Sequence, residues 1–468
     1  MATYQPPELA QGKSRYPPRG CSVDGMHTGR RLARLLVVAA IVAAPAVVLR
    51  VLCVGNACDE AAEPTGATSI PFCTLPADIR TLIDDGYRLG RSPDVFAVTE
   101  EPSVRGQVWD QPTGAATEWP SLESEGPTRV PIVIDTTAAG RKLEPGTGLA
   151  EVAPTLAAQI DLRWPFPELR DGTAIPGVHS KGPVRLLLIV AWKGIGSSDL
   201  EKAPRSWPFL KSLMREGSGT LDGRTGSLPV DSSASLSTVG TGGLPDTHGI
   251  TGTVIRNDDG RLVQAFSARA PVTIIAGLGD TLDNELANEP LIGEVEIDPF
   301  DRGLIGGGWY QSPDDDSIAV APSPKVPAAV ERMLSRGFGA DDTPDLLAVT
   351  LEGTPAAMDK STRLIFEAAE ESSKGFMATA VVGTGSATPA ERAEITALEI
   401  AAWVNRTVGA EAVFAAVPGG LFLDQQVLAA DSISDGRIVD ALAAVQESGG
   451  EVFSDAFPAF AISFGRYC

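Results

Sequence analysis

The stretch from Ser227 to Ile250 is crowded with small hydroxyl residues, which makes it the part of the chain best suited to chemistry. A proline turn opens it, and Ala234 to Val239 have the composition of a helix. Ser232 or Ser233 is placed to cap that helix, where a hydroxyl lies among free backbone N–H groups at the positive end of the dipole. A phosphoryl oxygen binds at the same kind of position. The stretch therefore predicts either a plain helix cap or an anion site.

The residues that follow this helix resemble a known family. Thr241-Gly242 would end the helix, and Pro245-Asp246-Thr247-His248-Gly249-Ile250 comes next. This order resembles the nucleophile segment of the alkaline phosphatase superfamily, in its type I phosphodiesterase/nucleotide pyrophosphatase branch. The resemblance places Ser232 at the nucleophile position, with Ser233 as the alternative one residue later. It also implies that His248 is a structural residue and not a metal ligand.

Other segments resemble the strands and helices of the same fold. Leu186–Gly194 is similar to the first strand of the superfamily, and its unbroken apolar run is typical of a parallel strand buried on both faces. Pro344–Leu351 and Thr379–Val382 resemble the strands that precede metal ligands. Strand-like and helix-like segments alternate along the chain, which predicts an α/β fold. The resemblance implies three layers, with a mostly parallel central sheet between helices. We expect Arg256–Asp316 to be a loop-rich insertion.

The metal ligands that the resemblance implies are absent from the positions where they belong. Two-metal phosphoryl transfer in this superfamily uses about six Asp and His ligands to hold Zn²⁺ or a similar ion pair. The chain has three histidines. Glu352–Met358 lacks the Asp-x-x-x-His pattern, Gly383–Ala387 lacks Asp-His-Gly, and no histidine lies between Gln111 and Thr128. At the first ligand position Lys193 replaces aspartate. We therefore expect no metal cofactor and a degenerate nucleophile at Ser232.

Lys193 has three possible roles at the end of its predicted strand. It would repel a divalent cation and offer a fixed positive charge in its place. The side chain can simply point to solvent, it can bind an anion together with Ser232 and Ser233, or it can act as the base of a Ser-Lys pair. Anion binding by these three residues is the functional prediction.

The order of the segments along the chain differs from the family's order. Four segments that precede the first strand resemble the C-terminal part of the family domain: Gly86–Val95, Arg129–Val133, Val152–Leu156 and Gly172–Ile175. We interpret this as a circular permutation of one domain, residues 70–468. Residues 70–180 would be the family's C-terminal part and residues 181–468 its N-terminal part. The alternative is two incomplete copies, but about 110 residues are too few to complete such a sheet alone.

The N-terminal part of the chain predicts a membrane anchor. Residues 1–34 read as a flexible basic tail, residues 35–54 as an apolar span in which Arg50 reaches toward the membrane surface, and residues 55–69 as a linker. Positive-inside logic puts the tail in the cytoplasm and the body outside the membrane. A cleaved signal peptide and a buried core helix are the alternatives.

The charge distribution limits the choice of partners. The net charge is −22, and the first 50 residues hold seven Lys/Arg against two Asp/Glu, so the remainder carries −22 − 5 = −27. A body this acidic is a poor binder of nucleic acid. We expect membrane attachment through residues 35–54, an envelope protein as a partner and no nucleic acid.

Four of the five cysteines fall at or beyond the outer membrane face, where disulfides form: Cys53, Cys58, Cys73 and Cys468. In the order that the resemblance implies, the segment ending near Cys468 would run directly into the segment beginning near Cys73. A permutation would thus bring these two residues together, with Cα atoms within about 7 Å. Pairing of Cys58 with Cys73 is the alternative.

The sequence as a whole predicts a membrane-anchored, extracytoplasmic pseudo-phosphodiesterase that serves as a binding or scaffolding module. The competing hypothesis is a hydrolase of phosphate esters that uses Ser232.

Overall fold

The computed structural model describes residues 71–99, 103–104, 118–123, 125–136, 138, 140–306, 316–386, 395–447, 450–465 and 468. The predicted tail, span and linker (residues 1–69) lie outside this part of the chain. Within the described part, no helix has the length and apolar character needed to cross a membrane. The segment Ser69–Cys468 forms one compact unit.

The described residues form a series of strands and helices that alternate through most of the chain. The strands are β1 (Val95–Thr99), β2 (Ser103–Val104), β3 (Glu118–Trp119), β4 (Arg129–Asp135), β5 (Leu186–Trp192), β6 (Ser218–Arg224), β7 (Val254–Arg256), β8 (Leu262–Gln264), β9 (Ile292–Glu296), β10 (Asp316–Val320), β11 (Asp345–Leu351), β12 (Met377–Gly383), β13 (Val413–Val417), β14 (Gly420–Leu423), β15 (Gln446–Glu447), β16 (Gly450–Glu451) and β17 (Phe453–Pro458). The α-helices are α1 (Ala77–Gly86), α2 (Glu125–Thr128), α3 (Val152–Ala158), α4 (Ser197–Lys202), α5 (Pro208–Glu216), α6 (Ser232–Thr241), α7 (Pro245–His248), α8 (Leu278–Glu285), α9 (Val326–Leu334), α10 (Pro355–Ser373), α11 (Ala397–Val408), α12 (Gln425–Ala430), α13 (Asp435–Ala443) and α14 (Ala459–Phe464).

A seven-stranded sheet forms the centre of the fold, in the order β10-β9-β11-β5-β12-β4-β6. The five strands from β10 to β12 are parallel to one another. Strand β4 is antiparallel to both β12 and β6, so the sheet is mixed although six of its seven strands share one direction. The predicted α/β class is confirmed, and the single reversed strand is supplied by the N-terminal part of the chain.

Helices cover both faces of this sheet because its strands are apolar on both sides. All seven residues of β5 are buried. Alternate residues of β5 face two separate cores, with Leu187 and Ile189 on one side and Leu188 and Val190 on the other. Helices α3, α6 and α8 pack into the first core, and α5, α9 and α10 into the second. The central sheet therefore lies between two helical layers.

A second sheet of four strands, which the sequence did not predict, has the order β13-β14-β1-β17. Strand β1 is antiparallel to both of its neighbours, β14 and β17. One face of this sheet packs against α11 and α13. The other face packs against α1, and Phe96 of β1 stacks on Phe457 of β17 with ring centroids 5.7 Å apart.

The N-terminal part of the domain contributes one strand to each of the two main sheets. It supplies β4 to the central sheet, between β12 and β6, and β1 to the second sheet, between β14 and β17. Apart from the short two-stranded pairing of β2 with β3, the described strands of residues 71–180 belong to sheets shared with later parts of the chain, which argues against two incomplete copies. The circular permutation itself stays a prediction.

A disulfide joins Cys73 to Cys468, the pair expected from the sequence. Their Cα atoms are 5.4 Å apart across a sequence separation of 395 residues. Next to it, the ring of Phe72 lies edge-on against Phe457, with centroids 5.2 Å apart. The two ends of the domain thus meet at one place, through both a covalent bond and aromatic packing.

One local prediction was wrong. Arg256–Asp316 is not a loop-rich insertion, because it contains α8 and also β9, an inner strand of the central sheet. Two buried glutamates, Glu294 and Glu296, interrupt the apolar pattern of β9, so the strand cannot be recognised in the sequence.

Candidate functional site

The carboxyl ends of the parallel strands bring the candidate residues to one edge of the central sheet. Lys193 follows β5, and its backbone N–H donates to the carbonyl of Leu351 at the end of β11, at 2.8 Å. Thr384 follows β12, and its N–H donates to the carbonyl of Trp192 at 3.2 Å. Ligands of α/β proteins bind at this edge of the sheet.

Helix α6 begins at the same edge, and its cap is Asp231 and not Ser232 or Ser233. Oδ1 of Asp231 accepts hydrogen bonds from the backbone N–H groups of Ser233 at 2.8 Å and Ala234 at 3.3 Å. The expected serine cap is therefore wrong. Asp231 has the extended backbone of a cap residue, and its carboxylate reaches the N–H groups of the first helical turn. Ser232, one residue later, is already part of the helix and is too far along it to reach them. A negative charge thus already lies where an anion would bind.

The two serines of the predicted site face different surroundings. The half-buried Ser232 shares a hydrogen bond with the hydroxyl of Thr384, with 3.3 Å between the two oxygens. Thr384 Oγ1 also accepts the backbone N–H of Gly194, at 2.9 Å. Ser233 is buried, and its hydroxyl meets that of Thr253 at 3.3 Å. Ser232 therefore lies with the strand ends, and Ser233 lies beside the helix cap.

Lys193 does not point freely into solvent. Its Nζ lies 2.6 Å from Oδ1 of Asp301, and the two side chains are 17% and 4% exposed. The other oxygen of Asp301 accepts hydrogen bonds from the hydroxyl of Thr350 at 3.3 Å and from the N–H of Asp298 at 3.4 Å. Asp301 thus holds the ammonium group in place. No local pattern indicates this partner, because it lies 108 residues further along the chain.

Lys193 and Asp301 belong to a group of charged residues that we call the strand-end cluster: Lys193, Glu296, Asp298, Asp301 and Arg302. Burial raises the pKa of Asp301, and the nearby Lys193 opposes this effect. Burial, together with the charge of Asp301, raises the pKa of Glu296 to about 7. Within the described part of the chain, Oε1 of Glu296 has no hydrogen-bond partner. The cluster therefore holds three carboxyl groups against two cations.

The residues at this edge do not fit the two-metal site that the resemblance implies. Among the described residues, no three His, Cys, Asp or Glu side chains are arranged to hold an ion. Asp359, which lies on α10 after β11, caps helix α5 instead, accepting the N–H groups of Phe209 at 3.1 Å and Leu210 at 2.8 Å. At the end of β5, Lys193 is paired with Asp301 at the position where the resemblance implies the first metal carboxylate.

His248 has a structural position, as the resemblance implies. It is fully buried, and its Nδ1 accepts the backbone N–H of Ile250 at 3.1 Å. Nε2 must then carry the proton, which it donates toward the hydroxyl of Thr238 at 3.1 Å. Burial lowers the pKa of His248 to about 3. The neutral ring thus ties the turn after α6 to the helix.

Among the described residues, the hydrogen-bond partner shown for the Ser232 hydroxyl is not a base. A serine nucleophile needs a group that takes its proton, such as a histidine or a neutral lysine. The partner of the Ser232 hydroxyl is another hydroxyl, that of Thr384. The ammonium group of Lys193 is paired with the carboxylate of Asp301. The arrangement suits a fixed polar surface better than an activated nucleophile.

The comparisons with known proteins agree with the predicted resemblance. Residues 187–296 match the family model of type I phosphodiesterase / nucleotide pyrophosphatase. This segment runs from β5 through α6 to the end of β9 and thus includes Lys193, Ser232 and Glu296. The predicted resemblance to the type I phosphodiesterases is thereby confirmed over these residues.

Two solved structures are similar to the chain at low identity. One is wild-type alkaline phosphatase PafA, with 12% identity and a TM-score of 0.40, covering 56% of this chain and 76% of that one. The other is phosphonoacetate hydrolase from Sinorhizobium meliloti 1021 in complex with phosphonoacetate, with 18% identity and a TM-score of 0.36, covering 56% and 74%. No curated protein matches the chain in sequence.

Sequence reasoning missed several residues of the site. Asp231 carried a usable signal, because an aspartate just before a helix is a preferred cap. Asp301 and Glu296 carried none, since both lie in the segment interpreted as a loop.

Proposed function

We propose that this protein is a catalytically degenerate relative of the type I phosphodiesterases that serves as a binding or scaffolding module. It would be anchored in the cell membrane through residues 35–54, with its folded domain outside the cytoplasm. The observation that carries this proposal is the ion pair between Lys193 and Asp301, 2.6 Å long, at the end of β5. It puts a cation from the protein itself where the family would hold a metal ligand.

Electrostatics supports the loss of metal-dependent chemistry. An ammonium group repels a divalent ion, and two unit charges 4 Å apart interact by about 4 kcal/mol at the effective dielectric constant near a protein surface. Asp301 is already neutralised by Lys193 and hydrogen-bonded to Thr350. It is therefore not free to serve as a replacement ligand.

The alternative function is hydrolysis of phosphate esters by Ser232. Its half-buried hydroxyl at the start of α6, beside the strand ends, favours this alternative. The carboxylate of Asp231 opposes it, because it occupies the N–H groups of α6 that would otherwise bind a phosphoryl oxygen. The interpretation as a catalytically degenerate protein therefore has more support.

Metal analysis combined with a hydrolysis assay tests the proposal. The full chain, purified in detergent, would be analysed for transition metals and incubated with bis(4-nitrophenyl) phosphate, with and without added Zn²⁺ or Mn²⁺. We expect substoichiometric metal and the same background rate as for Ser232→Ala. Two tightly bound ions per chain, with hydrolysis that Ser232→Ala abolishes, would establish the hydrolase instead.

Anion binding by Lys193, Ser232 and Ser233 is a separate part of the proposal. Because Asp301 competes for the ammonium group, we expect Asp301→Asn to strengthen it. Millimolar phosphate should then raise the melting temperature of Asp301→Asn by more than that of the wild type, through mass action. The double variant Lys193→Ala/Asp301→Asn should lose the effect. Equal phosphate effects in all three proteins would show that Lys193 does not bind the anion.

The circular permutation also belongs to this proposal. It is supported by the positions of β4 in the central sheet and β1 in the second sheet. The disulfide that joins the two ends of the domain at Cys73 and Cys468 supports it as well. A chain rearranged to begin at residue 181 and to continue from residue 468 into residue 70 should fold. If it expresses only as aggregates while the natural order folds, the permutation loses its main support.

A further inference from the structure

Helix α14, the last helix of the described chain, is apolar on every side. Its residues, Ala459 to Phe464, include one hydroxyl group and no charge. One side of the helix is buried, because Ala461 and Ile462 are 2% and 0% exposed and belong to the same core as Phe72. A helix that is hydrophobic all round is normally covered all round. We therefore expect the other side of α14 to have a partner as well.

The other side of α14 carries two exposed phenylalanines. Phe460 is 56% exposed and Phe464 is 55% exposed. They are four positions apart, so their side chains are neighbours on one face of the helix, which also bears the exposed Ser463. We call Phe460 and Phe464 the phenylalanine pair. A single exposed apolar residue needs no explanation, whereas adjacent ones indicate an interaction surface.

Helix α14 lies where the chain enters the domain. The described chain begins with the 3-10 turn Pro71–Thr74, and α14 packs against this turn. The ring of Phe72 lies so close to Gly465, the residue after α14, that a Cβ atom there would overlap it. The disulfide between Cys73 and Cys468 fixes the same two segments to each other. Since a helix with its side chains is about 10 Å across, the phenylalanine pair lies close to the entry point of the chain.

The length of the linker limits how far this entry point can be from the proposed span. Residues 55–69 are the 15 residues between the span and the domain. A chain of that length reaches about 50 Å when fully extended and about 20 Å on average as a random coil. A compact unit of the size of Ser69–Cys468 is about 55 Å across. The linker therefore keeps the entry point near the bilayer and gives the surface around it a high local concentration there.

We propose that the phenylalanine pair is a membrane contact, through which the domain lies on the outer surface of the bilayer. This inference rests on the proposed membrane anchor and deepens it, because it states which side of the domain faces the lipid. Phe460 and Phe464 would insert at the boundary between headgroups and acyl chains, where the apolar face of an interfacial helix is buried. The span and α14 would then hold the domain at two places.

Two other occupants of this face are less suitable. The linker, residues 55–69, contains no Val, Leu, Ile, Met or aromatic residue, so it cannot bury two phenylalanines. A second copy of the chain would offer two half-exposed phenylalanines from each side, which together contribute roughly 400 Å² of contact. A stable protein interface needs about 1,200 Å² or more. A bilayer that the chain is already attached to needs no such area, because the attachment supplies the local concentration.

The acidic charge of the domain requires this contact to be apolar. The net charge is −22, and Ser463 lines the same cavity as Asp84, Arg88 and Asp246. Anionic headgroups are repelled by such a surface, whereas the burial of phenylalanine depends on apolar area and not on headgroup charge. We therefore expect the contact to form on zwitterionic phosphatidylcholine. A contact that forms only on anionic phosphatidylglycerol would overturn the proposal.

Photocrosslinking to lipid tests the contact directly. The full chain would be reconstituted into phosphatidylcholine liposomes with the photocrosslinker benzoylphenylalanine in place of Phe460. The matched control has the same replacement at Phe414, which is 46% exposed and lies on β13, at the opposite edge of the second sheet from β17. After irradiation, mass spectrometry counts the lipid adducts at each position. We expect at least fivefold more adducts at position 460 than at position 414.

The other outcomes of this experiment identify what covers α14 instead. Equal numbers of lipid adducts at both positions would overturn the proposal. Crosslinks from position 460 to residues 55–69, or to a second chain, in place of lipid would also overturn it and would name the occupant. A carbonate wash that strips the chain from the liposomes would refute the proposed anchor and this inference with it. A chain that resists the wash but gives no adducts at position 460 refutes the inference alone.

Serine substitution tests whether the phenylalanine pair holds the domain against the bilayer. The double variant Phe460→Ser/Phe464→Ser should keep the wild-type melting temperature, because both side chains are exposed. A glutamate-specific protease should cut its linker, at Glu60 or Glu63, at least threefold faster than the wild-type linker, since a raised domain leaves the linker accessible. Release of the domain from liposomes measures the rate, and Phe414→Ser should not change it. Equal rates for the wild type and the double variant would overturn the proposal.

Discussion

At the scale of single residues, the pairing of Lys193 with Asp301 decides the character of the strand ends. A lysine at a strand end is unremarkable by itself. Asp301, only 4% exposed, turns that lysine into a fixed element of the structure, because a buried carboxylate needs a partner for its charge. The same pairing explains why both side chains are poor candidates for metal binding or proton transfer.

Removing one partner of the Lys193–Asp301 ion pair should reveal its contribution to stability. We expect Lys193→Ala to destabilise the protein by about 3 kcal/mol, since it leaves Asp301 buried without a counter-charge. The double variant Lys193→Ala/Asp301→Ala should recover part of that loss, and urea denaturation of all four proteins in the cycle measures the coupling. A loss of less than about 0.5 kcal/mol for Lys193→Ala would mean that the pair is solvated and contributes little.

The raised pKa of Glu296 predicts how the stability of the protein depends on pH. Its pKa in the folded protein is about 7, above the ordinary value of 4.5. The folded state therefore holds this proton more tightly than the unfolded state, so rising pH between about 4.5 and 7 costs stability, and the cost is complete above that window. Glu296→Gln, which stays neutral, should be more stable than the wild type at pH 8, on the order of 2 kcal/mol.

The advantage of Glu296→Gln should shrink toward pH 5, where the wild-type carboxyl group is protonated. Guanidinium denaturation at the two pH values measures it, and Glu371→Gln, an exposed site on α10, is the matched control. A stability difference that does not change with pH would show that Glu296 is already neutralised by Lys193 or Arg302.

At the scale of elements, helix α6 depends on its cap. Asp231 supplies the oxygen that satisfies two N–H groups of the first turn, and the hydroxyl of Thr253 holds the carboxylate, at 3.1 and 3.0 Å from its two oxygens. The hydroxyl of Ser232 is instead directed toward the strand ends. The capping residue, Asp231, is thus the neighbour of Ser232, the residue that the resemblance places at the nucleophile position.

Substituting Asp231 and Ser232 one at a time separates the effect of the helix cap from the effect of the Ser232 hydroxyl. Asp231→Ala should lower the free energy of unfolding by about 1 kcal/mol, the usual loss for a helix cap, and more if Thr253 is left unpaired. Ser232→Ala should cost less, because it removes only one contact with Thr384. Thermal unfolding followed by circular dichroism measures both. The reverse ranking would show that Ser232 is the true cap in solution.

At the scale of the whole molecule, the disulfide closes the domain where its two ends meet. The loop between Cys73 and Cys468 spans 395 residues. On the chain-entropy model, closing a loop of this length stabilises the folded state by about 5 kcal/mol, less any strain. Because β1 and β17 pair next to this point, the bond also secures the junction between the beginning and the end of the domain.

Removal of the disulfide should therefore have a large effect. We expect Cys73→Ser, Cys468→Ser and the double variant to lower the free energy of unfolding by similar amounts, about 3 to 5 kcal/mol. Denaturation with and without reducing agent measures it, and the reductant should affect only the wild type. If the single variants keep the wild-type stability, the cysteines are not paired in the folded protein.

Much of the central sheet could be predicted from the sequence. Strand β5 spans the predicted residues because a seven-residue apolar run without alternation is compatible with burial on both faces. The His-Gly-Ile motif and Lys193 at the strand end were likewise visible, since each is a local pattern. Together they led to the family resemblance.

Tertiary structure alone decided the remaining features, because they depend on pairings between distant residues. Strand β9 reads as a polar loop because Glu294 and Glu296 interrupt its apolar pattern, and only its place between β10 and β11 makes it a strand. The second sheet joins β1 to β14 and β17 across more than 300 positions of the chain, which no periodicity reports. Asp301 likewise reaches Lys193 only because parallel strands bring their carboxyl ends to one edge, where a buried charge must find its partner.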